Sequence, residues 1–289
     1  MRTTAASTSS VTEALREQRN GKGRAAAEEW LDIAREAARE AGESLLKNLD
    51  RPGEIGYKGE GHRNPFSGAD KEAERIILGI LGHSFPDHGF LSEEAGASGG
   101  PSDNTWVIDP LDGTVNFIHG VRYFAVSIAL LHGRDIVLGA VYNPAADEMF
   151  SGAEGQGAYL NGERIRVSST VRIDESLLAA GFPYDRRSPA FDRSARRFAC
   201  LAREGQAARR DGSTALALCN VACGRYDGFC VEQNELWDYA AGILLVSEAG
   251  GRVSDFDGQP YRVGISRKET LASNGRLHQA ILDCVATTR

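Results

Sequence analysis

Between residues 25 and 49, apolar positions recur at helical spacing (Trp30, Ala34, Ala37, Ala38, Ala41, Leu45 and Leu49) with charges between them, which predicts an amphipathic helix. A second helix is expected from Lys71 to about His83, opened by Asp70, buried through Ile76, Ile77, Ile80 and Leu81, and ended before Pro86. Residues 105–108 are β-branched or aromatic and break at Asp109-Pro110, as a buried strand feeding a turn would. The apolar runs 123–131 and 136–142, joined by His132-Gly133-Arg134-Asp135, read as a hairpin, and Asn161-Gly162 marks another. Later the pattern alternates: a strand over 177–182, a helix over 191–203, a helix over 214–223 closed by Gly224, and a helix over 238–249 closed by Gly250-Gly251. Short apolar stretches around Val253 and Leu271 precede a last helix over 277–285. Hairpins early and strand–helix alternation late predict a layered α+β fold without internal repeats. The expected division is an arm over 1–24 and one domain over 25–289, an α+β half to about residue 165 and an αβ half after it.

Composition narrows the picture. The first two dozen residues are rich in Ser, Thr, Ala, Gly and Arg, bury nothing, and read as a mobile arm; Glu13 and Glu17 argue against a transit peptide. Lys+Arg is 33 against Asp+Glu 40, and the net charge of -7 opposes binding to nucleic acid or an anionic membrane surface. No apolar run approaches the roughly 20 residues of a membrane span. Cys200, Cys219, Cys223, Cys230 and Cys284 are odd in number and confined to the second half, which reads as reduced thiols in a cytoplasmic protein.

Candidate chemistry sits in the carboxylates. Asp109-Pro110-Leu111-Asp112-Gly113-Thr114 ends a buried strand, and a turn there can bring both aspartates and the Leu111 carbonyl to one side. Three oxygens from one turn are half of an octahedral shell and suit Mg²⁺, which completes its shell with water and substrate phosphate. Glu93, in Ser92-Glu93-Glu94, and Asp238, after Trp237, are candidates for the remaining carboxylates. Thr114 is placed to orient a water, and Asp70 to accept its proton. Each feature alone has a plain structural account: Asp109-Pro110 as a type I turn, Asp70 and Asp238 as helix caps, Glu93-Glu94 as a solvated loop. Their occurrence together favours an acidic metal site. Cys219 and Arg225 have the spacing of a cysteine phosphatase but lie in an apolar helical pattern, Asp255-Phe256-Asp257-Gly258 reads as a turn, and the six histidines show no metal spacing.

Leu91-Ser92-Glu93-Glu94, Trp106-Val107-Ile108-Asp109-Pro110-Leu111-Asp112-Gly113-Thr114-Val115-Asn116-Phe117 and Trp237-Asp238-Tyr239-Ala240-Ala241-Gly242 resemble, in order and spacing, the signature segments of the inositol monophosphatase family. The resemblance runs from about Ala25 to the C-terminus. It implies an αβαβα phosphatase fold, often homodimeric, that hydrolyses small phosphomonoesters with two or three Mg²⁺ ions per site and is commonly inhibited by Li⁺. It implies Glu93, Asp109, the Leu111 carbonyl, Asp112 and Asp238 as metal ligands, Asp70 and Thr114 as water-activating residues, and Gly113, Gly212, Ser213 and Thr214 as substrate contacts. Two positions depart from it. Ser92 stands where relatives usually have Gly. Val231 stands where many have a Glu that binds substrate hydroxyls, so that either Glu232 or Glu235 substitutes for it or the preferred alcohol differs from myo-inositol. Inositol, cyclitol and sugar phosphates are the implied substrates. Fructose-1,6-bisphosphatase, histidinol-phosphatase or 3′-phosphoadenosine nucleotidase activity are alternatives within the superfamily, and a non-catalytic phospholigand-binding protein is one outside it.

Overall fold

The computed structural model describes residues 21–58, 64–264 and 268–287. Of the expected arm, residues 1–20 lie outside the described residues. Positions 21–24 already belong to the first helix, α1 (Gly21–Asn48), so the helix starts before its apolar stripe does. The stripe buries Leu31, Ala34, Ala38, Ala41 and Leu45. After β1 (Ile55–Tyr57) and β2 (Pro65–Ser67) comes α2 (Gly68–Ser84), which packs on α1 and buries Ala73, Ile77 and Leu81.

An eight-stranded sheet follows, built from β3 (Gly89–Ser92), β4 (Gly96–Ser98), β5 (Asn104–Asp112), β6 (Ala125–His132), β7 (Asp135–Asn143), β8 (Glu148–Ala153), β9 (Gly157–Leu160) and β10 (Glu163–Arg164), in the order β10-β9-β8-β7-β6-β5-β3-β4. A short helix, α3 (Thr114–Ile118), leaves the end of β5. Both expected hairpins form: β6 pairs with β7 up to His132 opposite Asp135, and Asn161 and Gly162 both take positive φ between β9 and β10. The second sheet has five strands, β11 (Leu177–Ala180), β12 (Ala207–Arg209), β13 (Gly228–Glu232), β14 (Arg252–Ser254) and β15 (Glu269–Ser273), ordered β12-β11-β13-β15-β14. Its helices are α4 (Pro189–Glu204), α5 (Thr214–Ala222), α6 (Leu236–Glu248) and α7 (His278–Ala286).

The side-chain alternation of a strand dictates the layering. On β6, Val126, Ile128 and Leu130 join a core with α1 and α2, while Ala125, Ala129 and Leu131 join a second core with α5 and α6. On β13, Phe229 and Val231 enter that same second core, and Cys230 faces a third one with α4 and α7. The layers therefore run helix, sheet, helix, sheet, helix, with α5 and α6 hydrophobic nearly all round because both flanks are covered.

The five cysteines are not all reduced thiols. Cys200 on α4 and Cys284 on α7 form a disulfide with a Cα–Cα distance of 5.8 Å, leaving Cys219, Cys223 and Cys230 as free thiols. An odd count is equally compatible with one bridge and three thiols. No helix among the described residues is long and apolar enough to cross a membrane.

Candidate active site

β5 runs longer than the sequence pattern suggests. It pairs with β6 regularly to Asp109 opposite Ser127, then shifts register so that Asp112 faces Ala125. Pro110 offers no N–H to the ladder and sits in this irregularity. What was expected as a turn is a bulge within the strand end. The Leu111 N–H donates to Asp109 Oδ1 at 3.0 Å. Gly113 then adopts φ +98°, where a Cβ would stand 3.1 Å from the Tyr123 carbonyl oxygen and 3.3 Å from the Phe124 Cβ, so glycine is required to turn the chain into α3. Thr114, the first residue of α3, donates its hydroxyl to the Leu111 carbonyl (3.1 Å) or to Asp70 Oδ1 (3.3 Å).

Three other carboxylates or hydroxyls are set by helix N-termini. Ser67, not Asp70, caps α2; Asp70 is its third residue, and its Oδ2 accepts from the Ser67 N–H (2.8 Å) and hydroxyl (2.6 Å). Asp238 is likewise the third residue of α6, and its Oδ2 accepts from the Glu235 N–H at 2.9 Å. Ser213 caps α5, and Asp112 of β5 lies on that helix end, accepting from the Ser213 hydroxyl and from the Ala215 N–H (2.7 Å). The cap accounts of Asp70 and Asp238 are thus correct in kind and compatible with chemistry: backbone donors and helix dipoles fix one oxygen of each buried acid.

These segments meet at a cleft of about 610 Å³ lined by Glu93, Asp109, Leu111, Asp112, Gly113, Thr114 and Asp238, with Lys58, Tyr184 and Lys268 around it. Burial, reinforced by Glu93, Asp112 and Asp238, pushes the Asp109 carboxyl well above its ordinary value; burial, Asp112 and Glu93 do the same to Asp238. Asp112 is pushed up to about 6 by burial against its Ser213 and backbone hydrogen bonds, and Asp70 to about 6 by burial against Ser67. Carboxylates kept this close in a buried site repel one another unless a cation sits among them. Lys58 already partly supplies one: its ammonium lies 2.9 Å from Glu93 and 2.5 Å from Glu94. Among the described residues, no group of three or more His, Cys, Asp or Glu side chains is already disposed to hold a metal ion. The donor chemistry nevertheless fits a hard divalent ion, since every candidate donor is an oxygen and most are carboxylates.

A narrower slot of about 70 Å³ adjoins the cleft and shares Asp112, Pro183, Tyr184, Gln233 and Asp238 with it; Gly212, Ser213 and Thr214 line the slot. Glu232, expected as a substrate contact, is elsewhere. It points to the opposite face of β13 from Val231, where it is buried between Arg193 and Arg197 of α4, the latter at 2.5 Å. Those two cations outweigh burial and hold its carboxyl below the ordinary range. Neighbours along a strand face opposite sides, so Val231 and Glu232 cannot substitute for each other. Glu235 lines the cleft and is ion-paired to Lys268.

Several supporting residues were not expected. Glu74, one turn after Asp70 on the buried face of α2, accepts from the Ser92 hydroxyl and from the Glu94 (3.2 Å) and Ala95 (2.9 Å) N–H groups, and so holds the loop that carries Glu93. The Asp70/Glu74 spacing was a readable signal. Ser92 is thereby a working donor. Asn116 donates to the Tyr123 and Asp211 carbonyls, both at 2.7 Å, tying α3 to the loop before α5. A larger groove of about 960 Å³ between α1 and β8–β9 holds none of these acids, and its Arg35 and Arg39 are already paired with Glu28, Asp32 and Asp147. The rejected signals have structural accounts. Cys219 is buried in α5, where burial pushes its thiol well up, and 255–258 is a turn in which Asp255 Oδ1 accepts from the Asp257 and Gln259 N–H groups.

Comparison with known proteins agrees with this geometry. The family model described as the inositol monophosphatase family matches residues 26–288. An inositol-1-monophosphatase of Synechocystis sp. is 42% identical over 261 residues, covering 90% of this chain and 89% of that protein. The Nus factor SuhB of Escherichia coli K12 is 44% identical over 230 residues, covering 79% and 85%. The solved structure of an inositol monophosphatase from Anabaena (Nostoc) sp. PCC 7120 superposes with a TM-score of 0.81 at 38% identity, covering 91% of this chain and 97% of that one.

Proposed function

The chain belongs to the inositol monophosphatase family and is a phosphomonoesterase, and from that premise we propose that it hydrolyses a small phosphomonoester with Mg²⁺ by in-line attack of water. Glu93, Asp109, the Leu111 carbonyl, Asp112 and Asp238 would hold two or three ions. When bound, Mg²⁺ supplies neutralisation of the phosphoryl and departing oxygens and a lowered pKa for a bound water.

The rest falls to the chain's own groups. Thr114 Oγ1 accepts a hydrogen bond from the attacking water and passes its own proton towards Asp70 Oδ1, which is the base because Ser67 already occupies Oδ2. A water O–P bond forms, the P–O bond to the alcohol breaks, and the leaving oxygen takes a proton from solvent water, while the proton held on Asp70 returns to solvent. The Gly113 turn and the Gly212–Ser213–Thr214 end of α5 are assigned to the phosphate and the adjoining part of the alcohol. The observation that carries this reading is the convergence on one cleft of four carboxylates from three separated segments, beside the Asp70–Thr114 pair.

The test is phosphate release from inositol, fructose, histidinol and nucleotide phosphates, with Mg²⁺, with chelator and with Li⁺. Asp109→Asn and Asp238→Asn should each abolish Mg²⁺-dependent release with the fold intact; full activity in either rejects the assignment. The same experiment separates turnover from a phospholigand-binding role. A homodimer, implied by the family, and a cytoplasmic setting, consistent with three of the five cysteines being free thiols, belong to this proposal too. Light scattering of the purified protein checks assembly.

A further inference from the structure

Glu93 comes from a hairpin tip, the connection 93–95 between Ser92 of β3 and Gly96 of β4, which pair with each other. Gly96 closes the tip at φ +75°, the left-handed residue that so short a connection needs. The Glu93 N–H donates to the Ile108 carbonyl at 3.2 Å, beside Asp109. The next two N–H groups, of Glu94 and Ala95, turn the other way, towards α2, and converge with the Ser92 hydroxyl on a single oxygen, Glu74 Oε1. Successive backbone N–H groups around one anion form a nest, and the charge strengthens each bond. Glu74 is buried, and the same face of α2 carries Asp70 one turn earlier.

We propose that Glu74 is a positioning residue: by seating the backbone of 92–95 on α2 it presets the tip that carries Glu93 relative to Asp70, so that only the Glu93 side chain has to move when an ion binds. The inference rests on the Mg²⁺ reading of the cleft. In the metal-free protein the Glu93 carboxylate lies on the Lys58 ammonium, and a tip free to follow it would have to be ordered again at each binding event. Fixing the backbone of even one residue costs about tenfold in affinity.

Reach and charge are separable at this position. Glu74→Gln keeps an oxygen that accepts from the same three donors and loses the charge; Glu74→Asp keeps the charge and falls one methylene short. Calorimetry of Mg²⁺ binding to the full chain, amide hydrogen exchange over 92–95 in chelator, and p-nitrophenyl phosphate turnover at saturating Mg²⁺ read the outcome. Glu74→Asp should weaken Mg²⁺ binding and speed exchange by about tenfold or more each, with kcat lowered less than about threefold, whereas Glu74→Gln should restore affinity and exchange to within about threefold of the parent. Ser92→Gly, which removes one donor and leaves Glu74 in place, should weaken Mg²⁺ binding about threefold and serves if Glu74→Asp does not fold. Glu74→Gln as damaging as Glu74→Asp, or Mg²⁺ affinity unmoved by Glu74→Asp or by Ser92→Gly, overturns this inference alone. A parent that neither binds Mg²⁺ nor releases phosphate overturns the phosphatase reading and this inference with it.

Discussion

Asp112→Asn offers the sharpest measurement of the acidic site, because its effect on stability opposes its effect on activity. In the metal-free protein the folded Asp112 titrates near 6 against an ordinary 3.8. At about 1.4 kcal/mol per pH unit, ionised Asp112 costs the fold on the order of 3 kcal/mol above pH 6. The sign follows from the direction: the folded pKa lies above the unfolded one, so the cost is absent below 3.8, grows between 3.8 and 6, and is complete beyond. An asparagine carbonyl can still accept from Ser213 and Ala215 and loses only the long 3.3 Å bond from the Thr214 N–H, about 1 kcal/mol at every pH. In chelator the variant should therefore be more stable than the parent by about 2 kcal/mol at pH 8 and by well under 1 kcal/mol at pH 5. Urea denaturation at both pH values reads this difference. Saturating Mg²⁺ should stabilise the parent and reverse the order, since the variant lacks a ligand, and the variant should release no phosphate. A variant no more stable than its parent at pH 8, or a gap that does not change with pH, would refute the account of Asp112 as an acid whose burial makes its charge costly to the metal-free fold.

Asp70→Asn should lower kcat by about 10²–10⁴-fold while the Mg²⁺-induced rise in melting temperature persists, since it removes the base and not an ion ligand; steady-state assays with a thermal melt decide it. Cys200→Ser, or dithiothreitol on the parent, should cost about 4 kcal/mol in urea denaturation, because the Cys200–Cys284 bridge closes a span of 84 residues. Arg197→Ala leaves Glu232 buried with Arg193 as its remaining partner and removes the guanidinium that lies 4.5 Å from the Phe256 ring, so it should cost about 3 kcal/mol by the same method.

Much of this molecule is legible in its chain because local rules and tertiary demands agree. The apolar stripe of α1, the Asn161-Gly162 hairpin and the apolar run of α6 needed no partner to be recognised. β3, β4, β8 and β12 escaped notice because they are short, rich in small or polar residues, and defined by the neighbours they pair with. At the site, the residue types of the acidic motifs were readable, whereas the bulge that sets Asp109 and Asp112 apart depends on β6. Glu232 shows the opposite failure: its charge and its nearness to position 231 single it out, though a period of two already separates them.

The acids of the cleft and Asp70 beside it ride on separate layers. Asp70 belongs to the outer helices, Asp109 and Asp112 to the large sheet, and Asp238 to the helices sandwiched between sheets. A sideways slip of any layer by the length of one bond would leave each secondary element intact and still scatter the oxygens. Turnover is then a gauge of how the slabs are stacked, and on warming it should vanish before the helical signal does.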